Sequence, residues 1–210
     1  MDNHNLEQIA EFGAWTQAFG TIASAISSTP NLPLPETLLE DLNIIGNTLQ
    51  ATGNAVLVDT TVPADLSSVG NAVQSIGNST VLVGLLLHYS ETRKELLNIQ
   101  GNLLQALGGG ISVAFVYGQT PTEVQVLNLY GNLLQTIGNS IQSIAGFIEL
   151  KRDEDTSELN AVGSWIQAVG SVLSAIGQSI DTQSNENEKN RDQEDLYFYR
   201  LPHTSVFNKD

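Results

Sequence analysis

The chain has no cysteine, which removes disulfides, thiolate metal sites and thiol nucleophiles together and leaves the redox compartment undetermined. Charge is scarce as well. Asp, Glu, Lys and Arg make up 15% of the 210 residues, against roughly 25% in typical soluble domains, so uncharged groups must cover much of the surface. Basic charge is the scarcest: eight Lys and Arg stand against 23 acids, for a net charge of −15. So few scattered cations form no stripe that tracks phosphates. No nucleic-acid partner is expected, and anionic lipid is disfavoured for the same reason. Long apolar runs are missing too, the longest being Val81-Leu82-Val83-Gly84-Leu85-Leu86-Leu87. Met1-Asp2-Asn3-His4 begins no basic stretch followed by an apolar core, so a conventional secretory signal is not expected. The localisation reading stays open between the cytoplasm and release or deposition at a spore or cell surface by a non-classical route.

Glycine, in contrast, is plentiful, and it is periodic. The frame Gly-x-x-x-Gln-x-x-Gly occurs six times: Gly13 to Gly20 around Gln17, Gly46 to Gly53 around Gln50, Gly70 to Gly77 around Gln74, Gly101 to Gly108 around Gln105, Gly131 to Gly138 around Gln135, and Gly163 to Gly170 around Gln167. Successive copies start 24 to 33 residues apart, the period of a helix plus its turn. Counting from the first glycine, apolar residues recur at −4, −1, +3, +6, +10 and +13, which is a/d spacing. In the fifth copy they are Leu127, Tyr130, Leu134, Ile137, Ile141 and Ile144. This spacing predicts that each helix buries that seam.

The fold class expected is all-α. Six helices are predicted at about 5–28, 36–57, 64–86, 91–116, 121–149 and 156–181, and the short connections make neighbours antiparallel in a bundle or layered array. Thr120-Pro121-Thr122-Glu123 reads as an N-cap, a first-turn proline and a capping glutamate. Asp155-Thr156-Ser157-Glu158 repeats the offset, and Pro35 and Pro63 suit the first turns of helices two and three. Residues 1–181 form the repeat domain. Residues 182–195, rich in Asn, Gln, Glu and Asp, read as a solvated linker. Residues 196–210 open with Leu196, Tyr197, Phe198 and Tyr199, strand-like in propensity, and are expected to dock on the chain's own bundle or on a partner.

Glycine inside a helix costs about 1 kcal/mol relative to alanine, so two per helix over six helices must be offset. Spaced by seven, they form a groove that lets a neighbouring helix approach below the usual ~8–10 Å between axes. The amides form a second line, comprising Asn47, Gln50, Asn71, Gln74, Asn102, Gln105, Asn132, Gln135 and Asn139. The favoured reading of that line is a solvated face without charge. Its rival is a face that meets its like on another helix or another copy, where amides interlock without ions being buried.

Units such as Gly101-Asn102-Leu103-Leu104-Gln105-Ala106-Leu107-Gly108 and Gly131-Asn132-Leu133-Leu134-Gln135-Thr136-Ile137-Gly138 resemble the uncharacterised glycine-rich repetitive proteins of spore-forming bacilli. The resemblance spans roughly residues 6–180. It implies a helical repeat and carries over no catalytic residue.

Catalytic constellations are not apparent. His4, His88 and His203 have no second histidine three or four residues away, so no metal and no cofactor are expected. Gly108-Gly109-Gly110 lacks the Lys-Ser/Thr of a phosphate loop and suggests a bend or a close helix contact. The functional expectation is a non-enzymatic structural protein that self-assembles, as a homo-oligomer or higher assembly. A membrane-active, pore-forming or toxin-like protein stands second, because 67–90, 96–122 and 159–180 contain no Asp, Glu, Lys or Arg and are long enough to span a bilayer. A small-ligand carrier stands third.

Overall fold

The computed structural model describes residues 3–61 and 64–200, with side chains for 5–61 and 64–191. They form six helices: α1 Asn3–Ser28, α2 Glu36–Thr60, α3 Leu66–Leu86, α4 Glu91–Tyr117, α5 Glu123–Arg152 and α6 Ser157–Arg200. The fold is an all-α antiparallel bundle. Asp65 caps α3 by accepting the Ser68 amide at 3.0 Å. Thr122 caps α5 by accepting the Gln125 amide at 3.2 Å. The cap expected at Thr120 therefore lies two residues later, because Thr122 stays extended and Thr120 and Pro121 precede the helix. Pro63 lies outside the described residues.

Each helix packs against its neighbours in the chain, α1 also packs against α6, and among the described residues no other pair of helix backbones lies side by side. That pattern is a closed ring. It is assembled from three hairpins, α1–α2, α3–α4 and α5–α6, each held by glycine against glycine in antiparallel register. A Cβ on Gly20 would lie 2.7 Å from the Gly46 carbonyl oxygen, and one on Gly53 would lie 2.5 Å from that of Gly13. The same reciprocity joins Gly70 with Gly108, Gly77 with Gly101, Gly131 with Gly170 and Gly138 with Gly163. Backbones approach this closely only where no side chain intervenes, and dispersion attraction along the seam offsets the glycines' poor helix propensity.

Seams between hairpins use alanine, serine and threonine instead. Between α1 and α6, Ala14, Ala18 and Ala175 pack together with Trp15, Leu57 and Val172 against them, while Thr21 and Ser171 share a hydroxyl hydrogen bond of 2.5 Å. Trp15 Nε1 donates to Ser179 Oγ at 3.0 Å and Trp165 Nε1 to Thr29 Oγ1 at 2.9 Å, joining α1 to α6 at two levels. Gly109 faces Thr136 of α5, whereas Gly110 faces open space, and α4 runs on through all three glycines.

Two sequence expectations fail here. The apolar line does not form the buried seam: Tyr130, Ile137 and Ile144 are exposed, while Leu127, Leu134 and Ile141 are half-buried. The glycine seams on one flank and the small-residue seams on the other turn this line outward, because bare backbone packs tighter than leucine. The second correction concerns the end of the chain. Residues 182–195 are not an irregular linker, nor is 196–200 a strand, since α6 continues to Arg200. Between Gly177 and Pro202 no glycine or proline interrupts it, and Glu, Gln, Lys and Arg are good helix formers. The extension leans on α1, where Asn185 Nδ2 donates to Glu7 Oε1 at 3.1 Å and Gln8 Nε2 to Glu186 Oε1 at 3.1 Å. The side chains of Leu196, Tyr197, Phe198 and Tyr199, and with them the docking expected of the tail, lie outside those described.

Candidate functional site

The largest fully buried side chains are amides and hydroxyls: Gln74, Gln135, Asn54, Asn78, Asn139, Thr21, Ser164 and Ser171. The amide line favoured above as a solvated face is inside the ring. Asn47, Gln50, Gln74, Asn102, Gln105, Gln135 and Asn139 are buried, and Asn71 and Asn132 half-buried. The reason is steric. Asn and Gln lie beside or between the seam glycines, so the face that forms the seams also turns the amides toward the axis.

The six frame glutamines come from six helices, and they reach across rather than around the ring. Gln17 of α1 donates from Nε2 to Gln135 Oε1 of α5 at 2.8 Å. Gln167 of α6 donates to Gln50 Oε1 of α2 at 2.9 Å and to Gln105 Oε1 of α4 at 3.1 Å. None of these three pairs belongs to adjacent helices. The sixth, Gln74 of α3, is 2% exposed and its Nε2 has no protein partner. Flanking groups orient the layer: Gln142 Nε2 donates to Gln167 Oε1 at 2.9 Å, Ser164 Oγ to Gln142 Oε1 at 3.1 Å, and Gln50 Nε2 to Ser24 Oγ at 3.0 Å. The result is an amide girdle across the middle of the bundle, satisfied in part by itself.

A cavity opens on each side of the girdle. One, of about 410 Å³, is lined by all six helices and ends on Gln17 and Gln135; the other, of about 930 Å³, ends on Gln50, Gln105 and Gln167. Neither contains an unopposed base. Glu7 and Asp181 line the smaller. The larger carries Glu36, Glu40, Glu91, Glu95, Glu149 and Asp153 against a single lysine, Lys94, which pairs with Glu91 at 2.8 Å. Burial, followed by the neighbouring Glu149 charge, pushes the Glu95 carboxyl above its ordinary range, and burial alone raises Asp181. Both mouths therefore present negative potential to an approaching solute.

The outer surface is the complement of the interior. Phe12, Phe19, Ile45, Ile76, Leu103, Leu107, Ile137, Val162, Val169 and Trp165 are each more than a third exposed. Outward hydroxyls are turned back onto their own helices: Thr48 Oγ1 donates to the Ile44 carbonyl, Thr52 to Thr48, Ser79 to Ser75 and Thr80 to Ile76, all at 2.8–2.9 Å. This back-bonding satisfies each hydroxyl within its own helix. The charges lie at the two ends. Residues 12–28, 42–58, 66–86, 96–117, 124–148 and 159–180 carry no Asp, Glu, Lys or Arg, which at ~1.5 Å per residue makes uncharged segments about 25 Å to 37 Å long; in the antiparallel register of α1 and α2 they overlap over about 20 Å. By length and composition alone, two helices among the described residues, Glu91–Tyr117 and Ser157–Arg191, are long and apolar enough to cross a membrane.

Residues 8–175 match a family of unknown function, DUF6944. The chain belongs to that family. The DUF6944 match takes in all six frames and every girdle glutamine, and ends before the α6 extension. Neither a curated protein nor a solved structure matches the chain.

Sequence reasoning placed Gln50, Gln74, Gln105 and Gln135 in a stripe and Gln17 and Gln167 only in their repeat frames, and it missed both the convergence of the six and the partners that hold them. Ser24, Ser112 and Ser174 each stand eleven residues after a frame's first glycine and face Gly46, Gly70 and Gly131 of the partner helix; Ser24 and Ser174 accept from Gln50 and Gln135, whereas Ser112 Oγ has no protein partner. That offset was visible in the sequence. His88 is exposed in the turn after α3 and does not itself line either cavity.

Proposed function

We propose that this protein is non-enzymatic and membrane-active: a six-helix barrel that seats its apolar outer surface in a bilayer and encloses a polar lumen. The observation that carries the reading is the matched inversion of inside and outside over the uncharged middle of all six helices. Hydrocarbon is ~30 Å thick, and within it a backbone or side-chain polar group must find its partners inside the protein. The glycine and alanine seams suit that setting, where helices associate through small residues rather than through hydrophobic burial. Aromatics lie near the ends of the band, Tyr117 and Tyr130 toward one rim and Trp165 and Phe147 toward the other, as side chains at a lipid–water interface do.

The test is flotation of the full chain with phosphatidylcholine and phosphatidylglycerol vesicles, followed by carbonate extraction. Retention with the vesicles supports the reading. A chain that stays soluble and monomeric with lipid present overturns it.

A second reading, self-assembly into a structural array, draws on the same exposed apolar side chains, since patches of this extent on a water-soluble monomer call for a cover. Additional copies of the chain supply it, as expected for a homo-oligomer. Defined particles much larger than one chain in detergent-free buffer, together with failure to float, favour this alternative. Kinship with glycine-rich repeat proteins of spore-forming bacilli belongs with these proposals and rests on frames such as Gly131 to Gly138.

A further inference from the structure

We infer that the six frame glutamines form a closed gate between two water-accessible vestibules, and that the path behind it selects small cations. The inference rests on the membrane reading. Cavities of about 410 and 930 Å³ approach from opposite ends and stop at the same layer. That layer is held by hydrogen bonds between non-adjacent helices: Gln17 to Gln135, and Gln167 to both Gln50 and Gln105. Cross-axis bonds are not needed to hold a ring already closed by glycine and alanine seams. What they do is occlude its centre.

Glutamine suits a gate because its amide sits on two rotatable carbons, so swinging it aside joins the cavities without moving a helix. The same amide offers a carbonyl oxygen that replaces part of a cation's hydration shell. Gln74 Nε2 is buried without a protein partner, so the closed layer is not fully satisfied. The closed arrangement is thereby less secure than a complete ring of bonds. Selectivity comes from the mouths. Acidic side chains at both ends, with Lys94 in the larger mouth already paired, concentrate cations and repel anions on entry.

Two bonded glutamines hold all three bridges, so Gln135→Ala with Gln167→Ala opens the girdle. Wild-type chain and variant are reconstituted in planar bilayers of phosphatidylcholine and phosphatidylglycerol across a potassium chloride gradient. The variant is expected to pass at least tenfold more current than wild type, with a reversal potential toward that of potassium. Adding Glu95→Gln and Glu149→Gln is expected to move that potential back toward zero. Gln135→Asn with Gln167→Asn, which keeps the amides but shortens their reach, is expected to give a smaller increase, and it decides the matter if the alanine pair loses its helical signal. A chain that floats with vesicles yet conducts no better after either substitution overturns the gate and leaves the membrane reading standing. An anion-selective current overturns the cation assignment. A chain that never enters the vesicles overturns both.

Discussion

Inside and outside, the same helices follow opposite rules. In the lumen, Gln74 and Gln135 are 2% and 1% exposed, while on the outer face Phe12 and Ile76 are 68% and 58% exposed. In water both placements work against folding: amides lose solvent hydrogen bonds and large apolar groups gain nothing. In hydrocarbon both are favourable, because an outward amide has no partner and an outward isoleucine loses none. The contrast is what the proposed bilayer setting would favour.

The strongest way to break the contrast is to place charge on the outer face. Ile76→Lys and Ile137→Lys fall near the middle of the uncharged band, and both wild-type side chains are exposed. On a surface facing water each change would shift stability by no more than about 0.5 kcal/mol. In a bilayer each costs about 2.5–3.5 kcal/mol, so flotation measured against lipid concentration should weaken on the order of a hundredfold per substitution. Unchanged partitioning would assign the belt to water or to another protein chain.

The next largest effect separates two kinds of glycine. A Cβ on Gly138 would lie 2.5 Å from the Gly163 carbonyl oxygen and 2.6 Å from the Gln167 amide nitrogen. Both are backbone atoms that can yield only if α5 and α6 separate. Gly138→Ala should therefore lower stability by about 1–3 kcal/mol despite a gain of about 1 kcal/mol in helix propensity. At Gly110 nothing lies within 4 Å, so Gly110→Ala should keep that gain and raise the thermal midpoint. A rise in both variants would mean that the seam has room to spare.

Much of the fold could be read from the chain because its punctuation is local. Frames at a period near 30 set the helix count, prolines and caps set the starts, and the spacing of Gly138 from Gly131 marks a seam without reference to any partner. The failures arose where one periodicity served two masters. Residues such as Tyr130 and Ile137 have a/d spacing whether they face a core or a lipid, and spacing alone does not say which. The buried girdle was obscured for a related reason: amide lines on exposed and enclosed faces look alike until ring closure makes six of them converge. In 182–200, polar composition imitates a solvated coil, although the same residues are helix formers and nothing interrupts α6.

A smaller test exchanges the two environments directly. Gln135→Leu removes the acceptor for Gln17 and a donor toward Ser174, leaving buried groups unpaired at about 1–3 kcal/mol. Gln100→Leu, on the exposed side of α4, makes the same chemical change where no buried partner is lost. It should leave thermal stability nearly unchanged and strengthen flotation. The two substitutions should thus move in opposite senses, and a shared direction would erase the distinction between lumen and belt.

The gentlest probe lies at the larger mouth, where the polar lumen meets its acidic rim. Burial first, and then Glu149, raise Glu95 above its ordinary value of 4.5, while a hydrogen bond with Asn98 opposes them. The folded chain thus holds this proton more tightly than the unfolded chain does. By linkage, stability is greatest below the unfolded value, declines as pH rises through the folded one, and stays reduced above it. Glu95→Gln removes that decline. Its thermal midpoint should match wild type in acid and exceed it modestly at pH 7, so the two stability curves separate as pH rises. Parallel curves would mean that Glu95 is as well solvated as the outer rim, and that the acidic mouth is wider in solution than the cavity it lines.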